Sequence, residues 1–270
     1  MRAFWMVLLL PPVIPMVVLL ALATLTFSRL EREPTESVPV GIGSLPTPAA
    51  GAPPDPTLLL PDLRTRPPSD LRIETMRGSD RRLLRLSNTV WNDGAAPLEL
   101  LGRSDPVTGR TRVTQNLRGT EGTTRESSVG EFTFHPGHNH WHFDAFAVYE
   151  VWSMTPDGDL DTVMAASDKV TYCIMDTTRV ARGRSGTAER AEFTNCGQAR
   201  QGVSVGWGDT YGAGLAGQEV DVTAVPDGVY ALVSTADPEN RIQEADETNN
   251  AAAVVIELHE SEVEIVSADT

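Results

Sequence analysis

Apolar and polar residues alternate with a period of two in six segments: RLLRLSNTVW (82–91), HWHFDAFAVYEVW (140–152), KVTYCI (169–174), QEVDVT (218–223), VYALVST (229–235) and AAVVIEL (252–258). Alternation sends neighbouring side chains to opposite faces, so each segment predicts a strand with one face in a core. Asn92-Asp93-Gly94, Pro156-Asp157-Gly158 and Pro226-Asp227-Gly228 carry the residues that chain reversals need. No long stretch has helical periodicity. The pattern predicts one mainly β domain over 58–258, an antiparallel β-sandwich with long loops. Residues 177–217 are rich in Gly, Arg, Ser and Thr and predict a long functional or mobile loop.

The two ends differ from this domain. Phe4 to Phe27 carries no charge; as a helix it would run about 36 Å, enough to cross a hydrocarbon core of about 30 Å. Residues 1–28 therefore read as a transmembrane anchor or, given Ala21-Leu22-Ala23, a cleaved signal peptide. Arg2 before the segment and a neutral balance of charges after it place the remainder outside the cytoplasm. The protein is thus expected to be exported, held by a membrane helix or released. Residues 29–57, rich in Pro, Gly, Ser and Thr, read as a disordered linker, and 259–270 as an acidic tail.

Composition narrows the chemistry. The 270 residues carry 22 basic and 37 acidic side chains, a formal charge of −15, which disfavours nucleic acid as a partner and favours cationic ligands. Two cysteines, Cys173 and Cys196, exclude a multi-cysteine zinc or iron–sulfur framework and permit one disulfide. Lys169 is the sole lysine beside 21 arginines. A chain that meets its cationic needs with guanidinium and keeps one amine suggests a use for a nucleophilic nitrogen, which arginine cannot supply.

Four of the five histidines fall in Phe134-His135-Pro136-Gly137-His138-Asn139-His140-Trp141-His142. In a β conformation the alternating His138, His140 and His142 would share one face, about 6.6 Å apart in succession. Three imidazoles with an open position form a metal site suited to Cu(II) or Zn(II). His135 could be a fourth ligand or a supporting partner, and Asp144 shares the predicted face as a candidate base. His259 stands alone. Glu244-x-Asp246-x-x-Asn249-Asn250 collects four oxygen-bearing side chains in seven residues, either a site for a hard cation such as calcium or an acidic hairpin end closed by Asx turns.

The histidine segment resembles the copper segment of the lysyl oxidase family, W-H-S-C-H-Q-H-Y-H followed by D-E-F-x-x-Y. Leu60-Pro61-Asp62-Leu63, Arg82-Leu83-Leu84-Arg85, Asp168-Lys169 before Cys173, Gly208-Asp209-Thr210-Tyr211-Gly212, and Glu244 to Asn250 extend the resemblance over roughly residues 60–258. It implies that His138, His140 and His142 bind copper and that Lys169 and Tyr211 form the cofactor lysyl tyrosylquinone. It also implies a Cys173–Cys196 disulfide and a calcium site of Asp62, the carbonyl of Leu63, Glu244, Asp246, Asn249 and Asn250. Gly137 replaces a family cysteine, and Val148 stands where animal members carry another histidine.

The function so implied is oxidative deamination of primary amines, as small molecules or lysine residues of a protein, to aldehydes. Molecular oxygen would be the acceptor and hydrogen peroxide and ammonia the other products. The alternative is a non-catalytic exported domain that binds copper or zinc, which needs the histidines but neither Lys169 nor Tyr211.

Overall fold

A computed structural model describes residues 42–46 and 53–268. The predicted anchor or signal segment and most of the linker lie outside the described residues, among which no helix is long and apolar enough to cross a membrane. The described chain is built of strands: β1 (Leu58–Leu59), β2 (Leu63–Thr65), β3 (Ser69–Thr75), β4 (Arg82–Asn92), β5 (Leu98–Ser104), β6 (Thr111–Gly119), β7 (Thr124–His135), β8 (His140–Met154) and β9 (Leu160–Ala166). After these come β10 (Val170–Tyr172), β11 (Thr178–Arg179), β12 (Arg200–Val203), β13 (Trp207–Tyr211), β14 (Glu219–Asp221), β15 (Gly228–Ala236), β16 (Ala251–Leu258) and β17 (Val263–Ala268).

All pairings are antiparallel. The larger sheet runs β12-β5-β6-β7-β8-β15-β16-β17, with β1 beside β6 and with β9 and β10 beside β8; the smaller is built on β4, which pairs with β13 (itself beside β11), β14, β2 and β3. Leu63, Leu84 and Leu86 of the smaller sheet share one core with Phe143, Phe146, Tyr149, Leu232 and Val254 of the larger. This burial of both inner faces is the dominant stabilising term of such a layered architecture.

Two long strands organise the domain. β4 is bordered by β2, β3, β13 and β14, and is therefore buried on most of its length. β8 pairs with β7 and β10 near its start and with β15 and β9 further on. The change of partner falls at Ala145, whose backbone is left-handed at φ 53°. A residue in that conformation bends the strand and breaks its alternation. The histidine end of β8 is thereby set apart from the end that lies in the body of the sheet.

All six predicted strand segments overlap observed strands, but three expectations change. Residues 177–217 are not one loop, since they carry β11, β12 and β13. The acidic tail does not end the fold at Leu258: β17 pairs with β16, and Val263 packs against the core. Acids dominate the composition there, yet Val263-Glu264-Ile265 alternates and hides one apolar position. The linker is laid on the domain at 42–46, where Ile42 and Leu45 cover Ala231, Val233 and Ala253 on the outer face, and Gly43 N donates to the Gly158 carbonyl at 3.0 Å.

The Asn92-Asp93-Gly94 turn shows why its residue types matter. The buried Asn92 amide oxygen accepts from the Asp62 and Gly94 N–H groups (3.0 and 2.9 Å), while its nitrogen donates to the Ala96 and Val203 carbonyls (2.9 and 3.1 Å). Gly94 passes so close to Asp62 that a Cβ would sit 2.5 Å from its backbone nitrogen. A larger residue would push the start of the domain away from β4.

Candidate metal centre

The four clustered histidines sit on the hairpin between β7 and β8, where His135 and His140 are cross-strand partners. Between them the chain turns on itself, with the N–H groups of His138 and Asn139 both donating to the His135 carbonyl (3.1 and 2.9 Å) and Asn139 left-handed at φ 56°. The expectation of three histidines on one strand face is corrected accordingly. His140 and His142 alternate on β8, whereas His138 reaches the same place from the turn. Asn139 tolerates the left-handed conformation better than most residues, and Pro136-Gly137 supply the reversal.

The ring nitrogens converge. His140 Nε2 lies 2.8 Å and His138 Nδ1 3.4 Å from His142 Nε2, and one nitrogen from each ring falls within 4.8 Å of the others. Three ligands at about 2.0–2.1 Å from a tetrahedral metal stand about 3.3 Å apart, so the donor set fits a metal with small adjustments. His135 stacks on His138 and His142, with centroids 4.2 and 5.1 Å apart. It braces two rings of the trio and is not part of the converging set.

The electrostatics favour ligation. Burial first, then the neighbouring rings, lowers His142 from 6.5 to about 4, and the same causes lower His140. Both are thus neutral near pH 7, with lone pairs available. His142 Nδ1 lies 2.8 Å from Thr171 Oγ1 on β10. With Nδ1 protonated and donating to that hydroxyl, the His142 Nε2 lone pair faces the other two rings. Thr171 is a supporting residue that the sequence reading missed. Its signal was an outward polar position between the buried Val170 and Tyr172 of a predicted strand.

A cavity of about 380 Å³ opens beside the trio and is lined by His135, His138, His142, Lys169, Thr171 and Tyr211, with Asp168, Glu219 and Asp221 among its acidic lining. The structure thus brings Lys169 and Tyr211, distant in sequence, to the lining of the same cavity as the histidines. Each has a partner of its own. Lys169 Nζ donates to Glu239 Oε1 at 2.5 Å and holds that carboxyl below its ordinary range. The Tyr211 hydroxyl accepts from the Cys173 N–H at 2.7 Å, and its ring lies 3.9 Å from that of Tyr172 between centroids. Burial, then the Asp209 carboxylate, pushes the Tyr211 phenol well above its ordinary range.

Asp144 does not line the cavity. Its carboxylate accepts from Thr133 Oγ1 at 2.8 Å, and β8 turns away at the next residue, Ala145. Cys173 and Cys196 are joined in a disulfide with Cα atoms 5.2 Å apart.

The oxygen-rich segment is drawn together with the start of the domain. Asn249 Nδ2 donates to Asp62 Oδ1 and Asp246 Oδ2 (both 3.0 Å), Asn250 Nδ2 to Glu244 Oε1 (2.7 Å), and the Leu63 N–H to Glu244 Oε2 (2.5 Å). Leu63 enters this network through its N–H. Glu247, which the sequence reading passed over, belongs to the cluster. Burial pushes it up to about 7 and raises the more deeply buried Glu244 well above its ordinary range. Glu247 Oε2, Asn249 Oδ1 and Asn250 Oδ1 are buried without a hydrogen-bond partner. Unpartnered oxygens beside buried carboxylates are what a hard cation would satisfy.

Comparison with known proteins places the chain in a family. The lysyl oxidase family model matches residues 110–268, from the end of the β5–β6 turn to β17. Lysyl oxidase homolog 3 of Homo sapiens is 31% identical over 174 residues, covering 63% of this chain and 18% of that protein. Lysyl oxidase homolog 3A of Danio rerio is 30% identical over 172 residues and lysyl oxidase homolog 4 of Mus musculus 31% over 173, again 63% of this chain and 18% of each relative. The chain thus matches under a fifth of the length of these relatives; the residues under the family model include the histidine hairpin, Lys169, Tyr211 and the oxygen-rich segment. With more than half of its residues under the family model, this chain belongs to the lysyl oxidase family.

Proposed function

We propose that the protein is an exported, copper-dependent amine oxidase of the lysyl oxidase type, anchored by residues 1–28 or released after their cleavage. The observation that carries this reading is the convergence of three imidazole nitrogens beside a cavity that also takes in the sole lysine and Tyr211. His138, His140 and His142 would hold copper, with Thr171 orienting His142 and His135 bracing the rings. Copper, with lysyl tyrosylquinone formed from Lys169 and Tyr211, supplies oxidation of a primary amine to an aldehyde, with molecular oxygen as acceptor and hydrogen peroxide and ammonia as products.

The chain's own residues prepare the site for a cationic substrate. Asp168, Glu219 and Asp221 line the cavity, and Arg81 and Arg85 neutralise Asp221 and Glu219 at 3.0 and 2.6 Å. Asp168 is left to attract an ammonium group, helped at longer range by a net charge of −15. A small amine and a lysine side chain both meet this requirement. Glu239 keeps the Lys169 amine at the cavity, and the Cys173 N–H with the Tyr172 ring fixes the Tyr211 phenol. A hard cation such as calcium, held among Asp62, Glu244, Asp246, Glu247, Asn249 and Asn250, would tie the first strands to the last.

The rival reading is a metal-binding domain without turnover. It is favoured by the separate partners that Lys169 and Tyr211 already have. Lys169→Arg separates the two. The substituted chain is expected to keep its copper while losing quinone staining and amine-dependent peroxide that the copper-loaded parent shows. If the parent, loaded and aerated, gives neither signal, the oxidase reading is withdrawn.

A further inference from the structure

Three sulfur atoms meet beside the histidine trio. Met175 Sδ lies 3.7 Å from Cys173 Sγ and 3.8 Å from Cys196 Sγ. A ring nitrogen of His140 lies within 4.8 Å of both cysteine sulfurs, so this imidazole belongs at once to the trio and to the sulfur group. Ligands about 2.3 Å from a tetrahedral metal stand about 3.8 Å apart, which is the spacing that Met175 keeps from each cysteine. The cysteine Cα atoms are 5.2 Å apart. When the disulfide is open, rotation of the two side chains is enough to give the sulfurs a similar separation from each other.

We propose that the reduced chain carries a second metal site, made of Cys173, Cys196, Met175 and His140, and that it takes Cu(I). Two thiolates and a thioether form a soft donor set, the kind that selects Cu(I), whereas the all-imidazole trio suits Cu(II). Binding replaces the two thiol protons. Cys173 is buried and the other three residues are half-buried, so the site is shielded from bulk water. Closing the disulfide from the metal-bound thiolates passes two electrons to an external oxidant such as dioxygen, which takes two protons from water and leaves as hydrogen peroxide. That step withdraws both thiolates from the metal and leaves His140 to the trio. The thiol state of one cysteine pair thus decides whether the Cu(I) site exists. The site needs neither Lys169 nor Tyr211, so its failure would leave the amine-oxidase reading untouched.

The test uses the full chain, reduced with a phosphine, desalted under nitrogen and titrated with Cu(I) against a chromogenic chelator, with the oxidised chain in parallel. The reduced chain is expected to keep its β-sheet circular dichroism and to bind one Cu(I) more tightly than the oxidised chain does. X-ray absorption of that sample should show three sulfur neighbours and one nitrogen. Met175→Leu should remove one sulfur neighbour and weaken Cu(I) binding measurably, because it takes away one soft donor of the set. Equal Cu(I) affinity in both redox states would overturn the proposal. So would two sulfur neighbours with unchanged affinity in Met175→Leu, or loss of the β-sheet spectrum on reduction.

Discussion

Replacing Thr171 with valine removes one hydroxyl from the wall of the metal centre and preserves side-chain shape. In the parent that oxygen lies 2.8 Å from His142 Nδ1, and His142 is 3% exposed. In Thr171→Val the Nδ1–H is left buried without an acceptor, a state that costs about 1–3 kcal/mol. Loss of the group that orients a ligating histidine weakens metal binding about 10–100-fold, which is about 1.4–2.7 kcal/mol. The first figure bears on the stability of the fold and the second on the metal, so copper affinity should fall by about one to two orders of magnitude. Thr171→Ser keeps the hydroxyl and should stay close to the parent. Valine suits a strand at least as well as threonine does, so a fall in melting temperature of a few degrees, as about 1 kcal/mol gives in a domain of this size, should report the unpaired N–H. Cu(II) competition with a fluorescent chelator at pH 7 reads the effect. A valine variant as tight as the parent would refute the claim that Thr171 sets the His142 ring.

The remaining predictions concern pH and cations. His142 resists protonation down to about 4 in the folded chain against 6.5 ordinarily, so the unfolded state binds more protons in that window. Stability of the metal-free protein should therefore fall by about 3 kcal/mol on acidification from pH 7 to 4 through this group alone. Urea midpoints of the parent and His142→Gln across that range should differ in slope; parallel slopes would contradict the assignment. Glu247 acts with the opposite sign. Its carboxyl is pushed up to about 7 from 4.5 by burial, so the folded chain keeps a proton that the unfolded chain gives up, and stability falls as pH rises through that window. Millimolar calcium should remove this loss and raise the melting temperature at pH 7.5 relative to a chelator-treated sample, whereas identical melting curves would count against a cation among Asp62, Glu244 and Glu247.

Much of the site was legible because its residues are scarce. Four packed histidines and a single lysine stand out in any chain of this size, and the structure brings three of those histidines and the lysine to one cavity. The local geometry was less legible. Alternation of His138, His140 and His142 reads as a strand, but a turn carries His138, and only the left-handed Asn139 lets it face the other two. The sequence contained a second pattern that fits better: Phe132–His135 and His140–Phe143 flank a four-residue reversal made of Pro, Gly, His and Asn.

β6 escaped notice for a related reason. Its inward positions alternate faithfully, but they include Thr111 and Gln115 as well as Val113 and Leu117. The polar ones are satisfied inside the fold, Thr111 by Gln198 at 2.6 Å and Gln115 by both backbone groups of Gln243 at 2.9 Å. Partners distant in sequence turn polar residues into core residues, and no local pattern reveals them. The same holds for Glu247, whose perturbed carboxyl depends on chain that folds back from the start of the domain.

The central claim is that the histidine trio holds copper where it can act on Tyr211 and Lys169. It is tested most directly by tandem mass spectrometry of the chain after anaerobic copper loading and exposure to air. The account predicts a cross-linked peptide pair joining Lys169 to Tyr211, absent from the metal-free chain and from Lys169→Arg. A chain that binds one copper through its histidines and yet releases both peptides unlinked and unmodified would contradict it.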